Sequence, residues 1–181
     1  MQPFASFDEL QLHLGRTLDD QFAAEQALIL ASGAVRSYCR WEISRNPAAD
    51  MQAYGDGSHL LSLPTLLLND VISIAVDRID YGPIVWSDDL NWGRKGQIHR
   101  TGGWCKDATV DVIVDHGYDP DELPDVITLV TLDVASRQLS NPENLVSAST
   151  GEVSRSWSSS GTSTSGLSTL HQVLLDNYRL I

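Results

Sequence analysis

ATVDVIVDHGYDPDELPDVITLVTLDVASRQL, residues 108–139, holds two periodicities in succession. Val110, Val112 and Val114 alternate with Asp111, Ile113 and Asp115, the period of a β-strand that turns one face to a core. His116-Gly117-Tyr118 closes the strand, and Asp119-Pro120-Asp121 forces a turn. Asp121 and Asp125 flank the start of a helix, with Pro124 in its first turn, where a missing N–H costs little. Val126, Ile127, Val130, Val134, Ala135 and Leu139 then recur at helical spacing. A strand feeding a helix gives the fold its centre. It supplies no catalytic centre.

Toward the N-terminus, Ser6-Phe7-Asp8-Glu9 reads as a capping box that starts a short helix carrying Leu10, Leu12 and Leu14 and stopping at Gly15. Thr17, followed by Asp19 and Asp20, reads as the cap of a second helix reaching about Arg40. Leu18, Phe22, Leu28, Ala31, Val35 and Tyr38 mark one face of it. Trp41-Glu42-Ile43 reads as the start of a strand. Asn46-Pro47 and Gly55-Asp56-Gly57 punctuate residues 44–59 as turns. Ile72, Ile74 and Val76 alternate with Ser73, Ala75 and Asp77 in a second strand. Ile84-Val85-Trp86 and Gln97-Ile98-His99 are candidate arms of a hairpin turning at Asn91–Gly96.

Toward the C-terminus the composition breaks. Asn141-Pro142 ends the helix, and Ser, Thr and Gly fill 15 of the 21 positions from Val146 to Gly166. Such a stretch buries too little apolar surface to order itself alone. Leu167, Leu170, Val173, Leu174, Tyr178 and Leu180 then recover a helical stripe capped by Ser168. The stripe either folds back on its own core or docks on another subunit or protein.

Bulk properties bound the function. The 181 residues carry 24 acids against 12 bases, a formal charge of −12, and no segment is a basic patch. Tight nucleic-acid binding needs clustered Lys and Arg, which this acidic balance lacks. The same balance suits solubility, or a surface that DNA slides past. The sequence holds no run of 18 apolar residues that would span a membrane, and Met1-Gln2-Pro3-Phe4 lacks the pattern of a signal peptide, so the expected site of synthesis is the cytoplasm. Cys39 and Cys105 stand far apart without a CxxC partner, and Cys39 falls on an apolar helix face.

No chemical signature emerges. Asp115, His116, Asp119, Asp121 and Glu122 are the densest ionisable cluster, but the glycine that an EF-hand needs at its sixth position falls on Pro120 or Pro124. An acidic turn before a helix explains the cluster better. Asp77 with Asp80, and Asp88 with Asp89, are paired acids with neither nucleophile nor metal ligand nearby. His13, His59, His99, His116 and His171 fall at no zinc spacing. No GxSxG elbow, P-loop or dinucleotide fingerprint is present. Trp86, Trp92 and Trp104 either stack a sugar or base, or pack in a β-layer or interface. The reading is of a non-enzyme without catalytic residues, metal or cofactor.

The order of these features resembles the head-to-tail connector (adaptor, or head-completion) proteins of long-tailed bacteriophages, especially those infecting actinobacteria. The likeness rests on the N-terminal helix ending near Ala34–Trp41, the turn Tyr54-Gly55-Asp56-Gly57, Leu61-Ser62-Leu63-Pro64, and the strand from Asp70 to Asp77. It continues through Gly102-Gly103-Trp104 and His116-Gly117-Tyr118-Asp119-Pro120 to Leu123-Pro124-Asp125. It spans most of residues 17–140, and the Ser-rich arm with its Leu174–Asn177-Tyr178-Arg179 helix is similar to the tails of such proteins.

The resemblance implies an α+β, mainly helical fold: a helix bundle with a small antiparallel β insertion and an extended C-terminal arm ending in a helix. The expected body is residues 1–141, with helices at about 7–14, 18–40 and 124–139 and the β-rich insertion at about 41–118. Residues 142–166 form the arm and 167–181 the docking helix. The implied function is a structural virion protein of the neck, at the head–tail interface. About twelve copies would ring the DNA exit channel beneath the portal protein, with the next neck protein (a stopper or tail terminator) below. DNA would pass without tight binding. Leu167, Leu170, Val173, Leu174, Tyr178 and Leu180 would dock on the portal. The alternatives are another neck or tail ring protein such as a tail terminator, and a small hydrolase or ligand-binding module using the tryptophans.

Overall fold

A computed structural model describes residues 2–76, 79–83, 89–140, 147–150, 153–156 and 166–180. Helices α1 (Phe7–Leu14) and α2 (Gln21–Cys39) come first. Strands β1 (Asn46–Tyr54), β2 (Leu60–Ser62), β3 (Leu68–Val76), β4 (Ile79–Pro83), β5 (Leu90–Gly93), β6 (Gln97–Arg100) and β7 (Thr109–His116) come next. Helix α3 (Asp125–Ser140), strands β8 (Ser147–Thr150) and β9 (Val153–Ser156), and helix α4 (Thr169–Leu175) complete the order. The chain divides into two compact units, one of residues 1–40 with 123–179, the other of residues 41–122 with 180–181.

In the helical unit, α1 begins with the capping box between Ser6 and Glu9 and ends at Gly15 in the left-handed region, φ 63°. Helix α2 starts later than the sequence suggests. Its cap is Asp20, which accepts from Ala23 N at 2.9 Å, and not Thr17. Leu28, Ala31, Val35 and Cys39 of α2 are buried, as are Ile127, Val130, Val134 and Ala135 of α3, and the two helices pack together. The N-terminal segment is pinned to them. Phe4 N donates to Ser32 Oγ at 2.9 Å, and the Arg36 guanidinium lies 4.1 Å over the Phe4 ring. Strands β8 and β9 pair antiparallel with each other.

In the β unit, one sheet runs β1-β7-β3-β4 and the other β2-β6-β5. Val110, Val112 and Val114 of β7 are fully buried, and Ala49, Ala53, Val71, Ile74 and Val76 flank them on the same inner face. Across the core stand Leu61 and Ile98 of the smaller sheet, with Leu63 and Trp104. Partly buried Leu90 and Trp92 pack against the same core, while Trp86 lies outside the described residues. The outer face of the larger sheet is set by register: Asp50 opposes Ile113 and Gln52 opposes Asp111. Gly117 has φ 90°, and a Cβ there would come 2.4 Å from Ser44 O, so only glycine ends β7 this way.

The expectation of a mainly helical body with a small β insertion is overturned. Residues 41–122 form a compact unit with seven described strands in two antiparallel sheets and a hydrophobic core of their own. The physical reason lies mainly in β1. Asn46-Pro47 looks like a chain breaker, yet β1 is an edge strand, where a residue without an N–H is tolerated. Trp41–Ile43 is not a strand; Ser44 makes a single bridge to Tyr118. Gln97–His99 pairs with β5 on one side and β2 on the other, and Ile84–Trp86 lies outside the described residues.

Candidate assembly surfaces

Helix α4 shows how the C-terminal stripe is used. Ser168 Oγ accepts from His171 N, and Ser168 N donates to His171 Nδ1, both at 3.3 Å, which makes a capping box with histidine in the place usually held by Glu. His171 Nε2 lies 2.7 Å from Asp133 Oδ2 of α3. With Nδ1 accepting, Nε2 carries the proton and donates it to Asp133. Asp133 also pairs with Arg137 at 2.9 Å, one turn along α3. After α4, the Tyr38 hydroxyl donates to Asp176 Oδ1 at 2.5 Å, and the Arg179 guanidinium sits 5.1 Å over the Tyr38 ring. The Asp176 carboxylate, as acceptor and as charge, pushes the Tyr38 phenol upward.

The six residues of the sequence stripe therefore divide. Leu167 is buried, Leu174, Tyr178 and Leu180 are half-buried, and Leu170 and Val173 are 66% and 62% exposed. The buried side of α4 is His171 and Leu175, with Leu167 buried just ahead of the helix, and α4 lies against α2 and α3. His171 and Leu175 escape a search for apolar residues alone, although their spacing from Leu167 is helical. The outward side continues a theme of this unit: Leu12, Phe22, Leu30 and Leu129 are also more than half exposed. On α2, Phe22, Ile29 and Leu30 lie on one stripe opposite the buried Ala27, Ala31 and Val35.

In the β unit the acidic cluster resolves into a structural clamp. Arg45 donates from Nε and Nη2 to Asp115, the latter at 2.7 Å, and from Nη1 to Asp119 at 2.6 Å. Asn69 Nδ2 donates to Gly117 O at 2.9 Å beside them. The Arg45 guanidinium holds Asp115 below the usual carboxylate range, and the two carboxylates raise Arg45 in turn. Next along β7, His116 is buried and hydrogen-bonded to Thr65 Oγ1 at 3.2 Å, and burial pushes its imidazole downward. The signal that sequence could not supply is the partner: Arg45 stands 70 residues from Asp115.

No group of three potential metal-ligating side chains occurs among the described residues. His59 and His99 stack with ring centroids 6.0 Å apart, while His13, His116 and His171 stand elsewhere in the fold. Trp104 is buried under Arg100, whose guanidinium lies 5.5 Å over its ring, so it has no open face for a sugar. Asp88 lies outside the described residues, as do Asp77 and the side chain of Asp80. No helix among the described residues is long and apolar enough to cross a membrane. What these surfaces offer is exposed apolar and charged area.

No family model matches the sequence, and no curated protein matches it. Solved structures do share the fold. A chain in the neck of an empty GTA (gene transfer agent) particle, computed with C6 symmetry, superposes with a TM-score of 0.58 at 15% identity. The match covers 96% of this chain and 88% of that one. A chain in the neck of a native GTA particle, computed with C12 symmetry, gives 0.59 at 12% identity, over 96% of this chain and 87% of that one. The shared architecture extends over both units.

Proposed function

We propose that this protein is a structural component of a phage-like neck, present in several copies as a ring between a DNA-filled head and a tail. The observation that carries the reading is full-length similarity of fold to a chain of the GTA neck, together with a sequence order that resembles phage connectors. The finer reading is the adaptor: about twelve copies beneath the portal, around the DNA exit channel, with a stopper or tail terminator as the next neck protein. The C12 symmetry of one similar particle is compatible with that number. A charge of −12 suits a wall that lets DNA pass without holding it. The role needs neither catalysis nor a cofactor.

The C-terminal segment is the portal-docking element in this account. Helix α4 is held by Leu167, His171 and Leu175, which leaves Leu170 and Val173 outward for the portal. The test is co-sedimentation with rings of the cognate portal. Wild-type protein should pellet with the rings, and Leu170→Asp with Val173→Asp should abolish this while the melting temperature stays within a few degrees. Equal pelleting by the double variant would remove α4 from the interface. Failure of the wild type to pellet would remove the adaptor reading.

A further inference from the structure

Within the β unit, one turn concentrates positive charge on a chain otherwise dominated by acids. Arg94 and Lys95, at the tip between β5 and β6, are both exposed, and neither side chain has a hydrogen-bond or ion-pair partner among the described residues. The turn is held firmly by its backbone. Leu68 N donates to Arg94 O and Leu63 N to Gly96 O, both at 2.8 Å. Gly96 has φ 69°, and a Cβ there would meet Thr65 O at 2.2 Å, so the backbone is seated directly on residues 63–68.

The outer face of the β1-β7-β3-β4 sheet has complementary character. Two rows cross it: Asp50, Ile113 and Ser73, then Gln52, Asp111 and Ala75. Asp50 is exposed without a partner among the described residues, while Asp111 accepts from Gln52 Nε2 at 2.7 Å. Around these acids Tyr54, Ile72 and Ile113 are 67%, 41% and 40% exposed. The turn is anchored at the Leu68 end of β3, whereas these acids lie along the outer face of the sheet, so the two are distinct patches of the β unit.

We infer that the basic turn Arg94-Lys95 of one copy docks on the acidic and apolar sheet face around Asp50, Asp111 and Ile113 of the next copy. This rests on the ring reading above and names the contact that builds the ring. Two different patches of one unit make a head-to-tail contact, the kind that generates a closed ring when the rotation fits. Opposite charges fix the register of such contacts and suppress wrong ones, which matters where every copy is strongly negative. DNA is the weaker occupant for the turn. Two cations neutralise little of a polyanion, and phosphate has no use for the exposed Tyr54, Ile72 and Ile113.

Native mass spectrometry of the full-length protein, alone and with portal rings, tests the contact. Arg94→Glu with Lys95→Glu, and separately Asp50→Lys with Asp111→Lys, should each raise the concentration needed for assembly at least tenfold. An equimolar mixture of the two variants should recover assembly, because alternating copies place opposite charges in every interface. Circular dichroism melting checks that each variant is folded. Wild-type assembly should also weaken as salt is raised. Variants that assemble like the wild type overturn the contact and leave the ring reading intact. So does a mixture that fails although both folded variants are present. Normal assembly by the Arg94/Lys95 variant with reduced DNA retention in filled particles would assign the turn to DNA and overturn the contact. A wild type that never assembles overturns the ring reading, and this inference with it.

Discussion

His171 Nε2 donates to Asp133 Oδ2 at 2.7 Å, and this bond joins the last helix to α3 from a side chain that is almost fully buried. It fixes α4 through a polar group placed between the buried Leu167 and Leu175. Removing it leaves a buried gap and strips α4 of half its capping box. His171→Ala should therefore lower stability by about 2 kcal/mol, the scale of a hydrogen bond to a charged group. Hydrogen exchange should rise first in residues 167–178 and much less in α2. Uniform loss of protection would show that α4 is no separate cooperative element.

β7 separates its two faces sharply. Val112 is fully buried while its neighbour Ile113 is 40% exposed. Val112→Asp buries an unpaired carboxylate and should cost about 3 kcal/mol or more. Ile113→Lys, which sets a cation opposite Asp50 on the exposed face, should cost much less and act on assembly instead. A reversed outcome would mean that the strand faces the other way.

His116 gives stability a pH dependence. Its folded pKa is lowered by burial, so near and below its ordinary value of about 6.5 the unfolded chain binds more protons than the folded one. Stability is then fully present above about pH 6.5 and declines as pH falls through the lowered folded value. Urea midpoints at a series of pH values from neutral to mildly acidic should show this slope, and His116→Asn should flatten it. Asp115, lowered by Arg45, adds a second loss on acidification beyond the usual carboxylate range.

The two cysteines should differ in reactivity. Cys105 is exposed, whereas burial raises the Cys39 thiol to about 11. At neutral pH a thiol reagent should label one cysteine per folded chain, Cys105, and reach Cys39 only in denaturant. Rapid labelling of both would mean that the α2 face bearing Cys39 opens readily.

These residues also show what the sequence could reveal. Ser6 and Glu9, the valines of β7 and the helical run from Ile127 to Ala135 announce themselves through local spacing, because capping and amphipathicity are local physics. Strand β1 hides behind Pro47, which sheet edges tolerate, and β2, β5 and β6 are too short for a period to show. The Arg45 clamp needs two segments 70 residues apart, which no local pattern encodes. On the C-terminal helix, Leu167 is legible as an apolar residue, but the choice of His171 and Leu175 for the buried side is made by Asp133 and α2. That leaves Leu170 and Val173 outside, a division that hydrophobic counting alone cannot make.

The mass of the complex formed with the cognate portal ring tests the neck role most directly. The expected product is a discrete assembly carrying one copy per portal subunit, about twelve in all with the C12 symmetry of the similar neck. A protein that stays monomeric beside intact portal rings and is absent from purified particles would contradict it.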